Sequence, residues 1–238
     1  MLCNYRNVPN GWMIYYKIDD GYRVHYSFYK ACLSVLDGKQ NEFWMIWSDV
    51  LGLVWFIYLL ETNDILKLGL YFGIISSKCC SLTYHIFNCV SIRLHQTLIY
   101  IDLLGIANMA FGTPYAFMRI YDNNVLFEMY CVVLGTSYLI TLGIYLYLFY
   151  YAVPYDKTVL LSQTLIFVLG LIGNIPLLYA GKNCTYQLAT LCFAFSYVLF
   201  YIQKIPECLI DIQNTRLIHS HIFWHIGVSV TQYLYVRM

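Results

Sequence analysis

The chain has 238 residues, 60% of them hydrophobic and 11% charged, where an average soluble domain carries roughly 25% charged residues. So few charges cannot clothe a water-exposed surface, and a formal net charge of +1 excludes both the basic field of a nucleic-acid binder and an acidic tail for a cationic partner. Partners are therefore expected in or beside a membrane.

Residues 1–42 come first, with Arg6, Lys17, Asp19 and Asp20 interrupting every apolar run. They lack the continuous apolar stretch and small-residue cleavage site of a secretory signal. Seven stretches follow with the length of about 20 apolar residues that crosses a bilayer core: 43–60, 68–90, 96–118, 125–152, 158–180, 186–203 and 217–236. Stretches this long suit helices, because a barrel strand needs only about 10 alternating residues. The expected fold class is an all-α membrane protein, with a cytoplasmic segment over 1–42 and a seven-transmembrane-helix bundle over 43–238. Gly170, Gly173 and Pro176 inside the fifth stretch read as residues for close packing and kinks.

Cytoplasmic loops are enriched in Lys and Arg, which sets the orientation. With the N-terminus inside, that side holds Arg6, Lys17, Arg23, Lys30, Lys39, Arg93, Lys157, Lys204 and Arg216, and the other side holds Lys67, Arg119, Lys182 and Arg237. The N-terminus is thus expected in the cytoplasm and the C-terminus opposite. The nine cysteines show no paired spacing and read as packing thiols. Most of the 25 tyrosines suit interfacial belts and packed faces. Asn183-Cys184-Thr185 fits a glycosylation sequon, but its loop is too short to hold the acceptor clear of the bilayer.

Ionisable residues within spans are costly and mark functional positions. They are Asp49, Lys78, His85, Asp102, Glu128, His221 and His225. In the orientation above, His85, Asp102, His221 and His225 fall at similar depth near the cytoplasmic face. His221 and His225 are four apart on one helix face, and Ser81 lies one turn from His85. Three imidazoles and a water make a tetrahedral zinc site with one open position. A polar interfacial face accounts for a lone His pair more simply, and the third His with the Asp brings the two readings level. Lys78, seven residues before His85, shares its face and reads either as a snorkelling lysine or as the partner of a buried acid, Asp49 or Glu128.

Four blocks resemble the progestin and adipoQ receptor family, which is related to the haemolysin III proteins. Gly21-Tyr22-Arg23, Asn41-Glu42 and Ile46-Trp47 are similar to that family's G-Y-R and N-E-x-x-N-I-W-x-H. Ser81-x-x-x-His85-x-Phe87 with Asp102-x-x-Gly105-Ile106 resembles S-x-x-x-H and D-Y-x-G-I. Gly173-Asn174-Ile175-Pro176 is the third block, and Lys204-Ile205-Pro206-Glu207 with His219-Ser220-His221-x-x-x-His225 is the fourth. The resemblance implies that His85, His221 and His225 bind zinc, with Asp102 and Ser81 beside the metal-bound water. The chain departs from the pattern at Asp49, where the family has His, at Met45 for Asn, at Leu103 for Tyr and at Cys208 for Arg.

Three functions remain open at this point. The first is a multi-pass receptor in which an external ligand shifts the bundle between two states and a cytoplasmic signalling partner meets the N-terminal segment. The second is a zinc-dependent, ceramidase-like hydrolase acting on a membrane lipid amide such as a ceramide, with Asp102 accepting the water's proton and Ser81 orienting the oxyanion. The third is a membrane anchor that retains a soluble partner through residues 1–42. The expected location is an integral position in the plasma membrane or in Golgi or ER membranes.

Overall fold

The computed structural model describes residues 2–10, 12, 18–60, 68–121, 125–150, 165, 168, 184–209 and 219–237. Among these the architecture is helical: α1 (Phe28–Ser34), α2 (Phe43–Tyr58), α3 (Leu68–Phe87), α4 (Ile92–Tyr121), α5 (Val125–Tyr150), α6 (Cys184–Ser196) and α7 (Ser220–Val236). A π-helical turn over Tyr197–Ile202 prolongs α6. The helix bounds agree closely with the apolar stretches, apart from α1, which carries no long apolar run. The stretch 158–180, with the Gly173 block, lies outside the described residues.

Among the described residues one helix, Cys184–Ile202, is long and apolar enough to cross a membrane by length and composition, with a mean hydropathy of 1.4. Phe43–Tyr58 and Cys131–Tyr147 are apolar but shorter. Large side chains point outward along these segments: Leu51 and Val54 on α2, Leu139 and Leu146 on α5, and Leu191 and Phe195 on α6. Water would penalise so continuous an apolar exterior.

Small residues decide how α3 and α4 meet. A Cβ on Gly112 would stand 2.6 Å from the Gly69 carbonyl oxygen, one on Gly73 would stand 3.1 Å from the Asn108 carbonyl oxygen, and one on Gly105 would stand 2.9 Å from Cys80 Cβ. The two backbones therefore touch directly, as in other close helix pairs built on small residues. Asn108, held between Ser76 on α3 and the Tyr138 hydroxyl on α5, adds a polar link across the same interface. Farther along, Phe56, Leu70, Ile74, Ala116, Tyr186 and Tyr235 close a core shared by α2, α3, α4, α6 and α7.

The N-terminal segment folds over the other end of the bundle. Gly21 sits at φ 85°, a left-handed conformation that favours glycine, and its carbonyl accepts from the Asn41 amide at 3.0 Å. Val8, Ile18 and Tyr22 then pack on Met45 of α2 and Ile222 of α7. Met45, where the family pattern has Asn, is thereby a fully buried apolar contact.

Candidate metal centre

Two helices bring the three histidines together. α3 delivers His85 from its last turn, and α7 delivers His221 and His225 from its first two. The start of α7 is fixed by Glu207, whose Oε1 accepts from the Ser220 amide at 2.7 Å, a carboxylate at a helix N-terminus where it meets exposed donors and the positive end of the dipole. Each of the three histidines offers a ring nitrogen, and these atoms all lie within 4.8 Å of one another. The ring centroids of His85 and His225 are 4.8 Å apart, and those of His221 and His225 are 5.0 Å apart.

The surroundings orient two of the rings. His85 Nδ1 stands 2.7 Å from Glu42 Oε2, while Glu42 Oε1 accepts from Asn88 Nδ2 at 2.9 Å. Burial alone would raise the Glu42 carboxyl, yet His85, Arg23 and the Asn88 hydrogen bond bring it down to about 2. His225 Nδ1 stands 3.2 Å from Asp49 Oδ1. With Nδ1 donating to a carboxylate, the imidazole presents Nε2 as its lone pair.

The donor set fits a zinc ion on an observation internal to the protein. His85 Nε2 is buried and has no hydrogen-bond partner, although buried polar atoms are almost always satisfied. Its other nitrogen is already committed to Glu42, and His221 and His225 each bring a ring nitrogen into the same cluster. Neutral imidazoles so arranged suit zinc.

Ser81, one turn before His85, is buried, and Asp102 of α4 is half-buried. Asp102 interacts electrostatically with Ser81 and with His85. The structure thus brings His85, His221 and His225 together in one cluster, with Ser81 and Asp102 outside it. Of the two acids considered for Lys78, the partner is Asp49, at 2.9 Å. Glu128 is exposed on α5. Cys89 lies in a separate packing cluster with Tyr26 and Ala31.

Two participants escaped the sequence reading. Arg23 donates to the His85 and Ile86 carbonyls and to Ser34 Oγ, so it caps the end of α3 where carbonyls lack helical partners. Glu42 holds His85. Both stand in motifs quoted above, Gly21-Tyr22-Arg23 and Asn41-Glu42, whose place in the pattern was the available signal; the Lys and Arg count placed Arg23 only on the N-terminal side. The family model described as haemolysin-III related matches residues 38–236. No curated protein matches the chain.

Proposed function

This chain belongs to the haemolysin-III related family, which includes the adiponectin receptors, and from that premise we propose that it is a multi-pass membrane receptor with an intramembrane zinc site coupled to hydrolysis of a lipid amide. The observation that carries the reading is the convergence of His85, His221 and His225 around the unpartnered His85 Nε2. Outward-facing apolar side chains on α2, α5 and α6 support a bundle seated in lipid. Seven spans, with the N-terminus in the cytoplasm, accommodate the Lys and Arg asymmetry. The site then lies near the cytoplasmic face.

His85, His221 and His225 would hold the metal. A zinc ion there would supply Lewis acidity toward an amide carbonyl and an acidified water as nucleophile. Glu42 and Asp49 orient two of the three imidazoles. Asp102 serves as the general base that accepts a proton, a role that needs a carboxylate within reach of the reacting water. Ser81, one turn before His85 on α3, orients the developing oxyanion. The N-terminal segment covers the cytoplasmic end and limits the entry of bulk water there, which strengthens the electrostatic interactions beneath it.

Docking of Val8, Ile18 and Tyr22 on α2 and α7 commits much of the N-terminal surface to the protein itself. That favours a receptor and hydrolase over an anchor that displays the segment to a soluble partner. The test is metal analysis of the purified chain together with release of fatty acid from ceramides in mixed micelles. Zinc and release together are the expected result. Zinc with no release from any lipid amide would remove the hydrolase part, leaving a receptor with a metal site.

A further inference from the structure

Asp49 and Lys78 form a buried charge pair that the family pattern does not contain at Asp49, and it meets the metal site through His225. Asp49 is 1% and Lys78 2% exposed. One carboxylate oxygen, Asp49 Oδ1, faces both Lys78 Nζ at 2.9 Å and His225 Nδ1 at 3.2 Å, while Oδ2 is buried without a hydrogen-bond partner. Lys78 Nζ also donates to Ser229 Oγ at 2.8 Å, and Ser229 Oγ donates to the His225 carbonyl at 2.9 Å. The contacts therefore close a ring: His225 side chain, Asp49, Lys78, Ser229, His225 backbone. It ties α2, α3 and α7 to one imidazole.

A second feature shows that the bundle makes room for this lysine. Gly52 lies one turn beyond Asp49 on α2, and a Cβ there would come within 3.2 Å of Lys78 Cε. The Lys78 stem thus runs against bare α2 backbone on its way to Asp49. Snorkelling would have sent the ammonium to the interface; here it ends in the interior on a carboxylate.

We infer that Asp49 and Lys78 act together as a positioning device for His225, holding its ring so that Nε2 faces His85 and His221. Asp49 fixes the tautomer by accepting from Nδ1. Lys78, anchored by Ser229, fixes the rotamer of Asp49 and offsets its charge, which a lone carboxylate within the bundle could not sustain. Neither residue touches the reacting atoms. The inference rests on the reading of the three histidines as a metal site.

The test uses the full chain in detergent, with zinc affinity measured by chelator competition and the coordination reported by the visible spectrum after cobalt substitution. The Asp49→Leu/Lys78→Met double variant removes both charges at once, so that it folds without a stranded ion. It is expected to bind zinc about 10- to 100-fold more weakly, as when a carboxylate behind a ligating histidine is lost, and to change the cobalt spectrum. Lys78→Met alone should weaken zinc binding as well. Gly52→Ala, which only crowds the Lys78 stem, should shift the spectrum in the same direction. A purely structural pair would lower the melting temperature of the metal-free protein and leave affinity and spectrum as in wild type. That outcome, with a wild-type chain that binds zinc, overturns the inference alone. A wild-type chain that binds no zinc overturns the metal reading and this inference with it.

Discussion

The two halves of α3 differ in what they add to a shared close approach to α4. From Gly69 to Ser76 the helix meets α4 through shape, with glycine faces so close that a single methyl group would collide with backbone. From Ser77 to Phe87 it also meets its neighbours through polar side chains, Lys78 on Asp49 and His85 on Glu42, with Asn88 on Glu42 just past the helix end. Close packing gains dispersion contacts but offers no chemistry, whereas the polar half carries buried charge that needs partners from three other elements. The difference teaches that damage to one half should cost stability without touching the metal, and damage to the other should cost function first.

The sharpest break between the halves is expected at Asp102. Asp102→Asn should keep zinc yet lower lipid-amide hydrolysis by about 100- to 10,000-fold, since a neutral amide cannot accept the proton. Fatty-acid release and metal content measured on the same preparation check it. Loss of zinc as complete as in the histidine variants would make Asp102 a ligand and close the open position.

Removing the metal ranks second. A chelator should lower the thermal stability of the wild-type chain, by about 4 kcal/mol if free zinc stood a thousandfold above its dissociation constant. The same chelator should leave the melting temperature of His85→Ala unchanged. Equal chelator effects on both proteins would break the link between the polar half and the metal.

In the packed half, Gly112→Ala should destabilise the protein by about 1–3 kcal/mol through overpacking while zinc content stays as in wild type. Differential scanning of detergent-solubilised protein with parallel metal analysis gives both values. A variant that loses zinc in proportion to stability would show that the halves are mechanically one unit.

These contrasts were unevenly legible in the sequence. Hydropathy located α2 to α7 to within a few residues because long apolar runs suit long helices, yet it could not place α1, whose seven residues carry no such run. Helical phase put Lys78, Ser81 and His85 on one face. It could not choose Asp49 over Glu128 for Lys78, because the choice depends on which helix lies opposite. Glu42 and Arg23 were the hardest to foresee. Their roles arise from the fold of the N-terminal segment over the bundle, a long-range event that no local period encodes. The close approach of α3 and α4 was equally silent, since Gly69, Gly73, Gly105 and Gly112 read as ordinary small residues until the two helices are set side by side.

The smallest expected effect lies at the boundary between the regions. Arg23→Gln removes the cap on α3 and should weaken zinc binding only through the position of His85, by less than loss of Glu42 itself. Chelator competition on Arg23→Gln and Glu42→Gln gives the order, and a larger loss in the Arg23 variant would mean that the cap, rather than the carboxylate, sets the His85 ring.

The central claim is that His85, His221 and His225 together hold one zinc ion, and its most direct test is the metal content of the purified chain and of the three single His→Ala variants. The account predicts one zinc per wild-type chain and little or none in each variant. One zinc per chain in all three variants would place the metal elsewhere and contradict it.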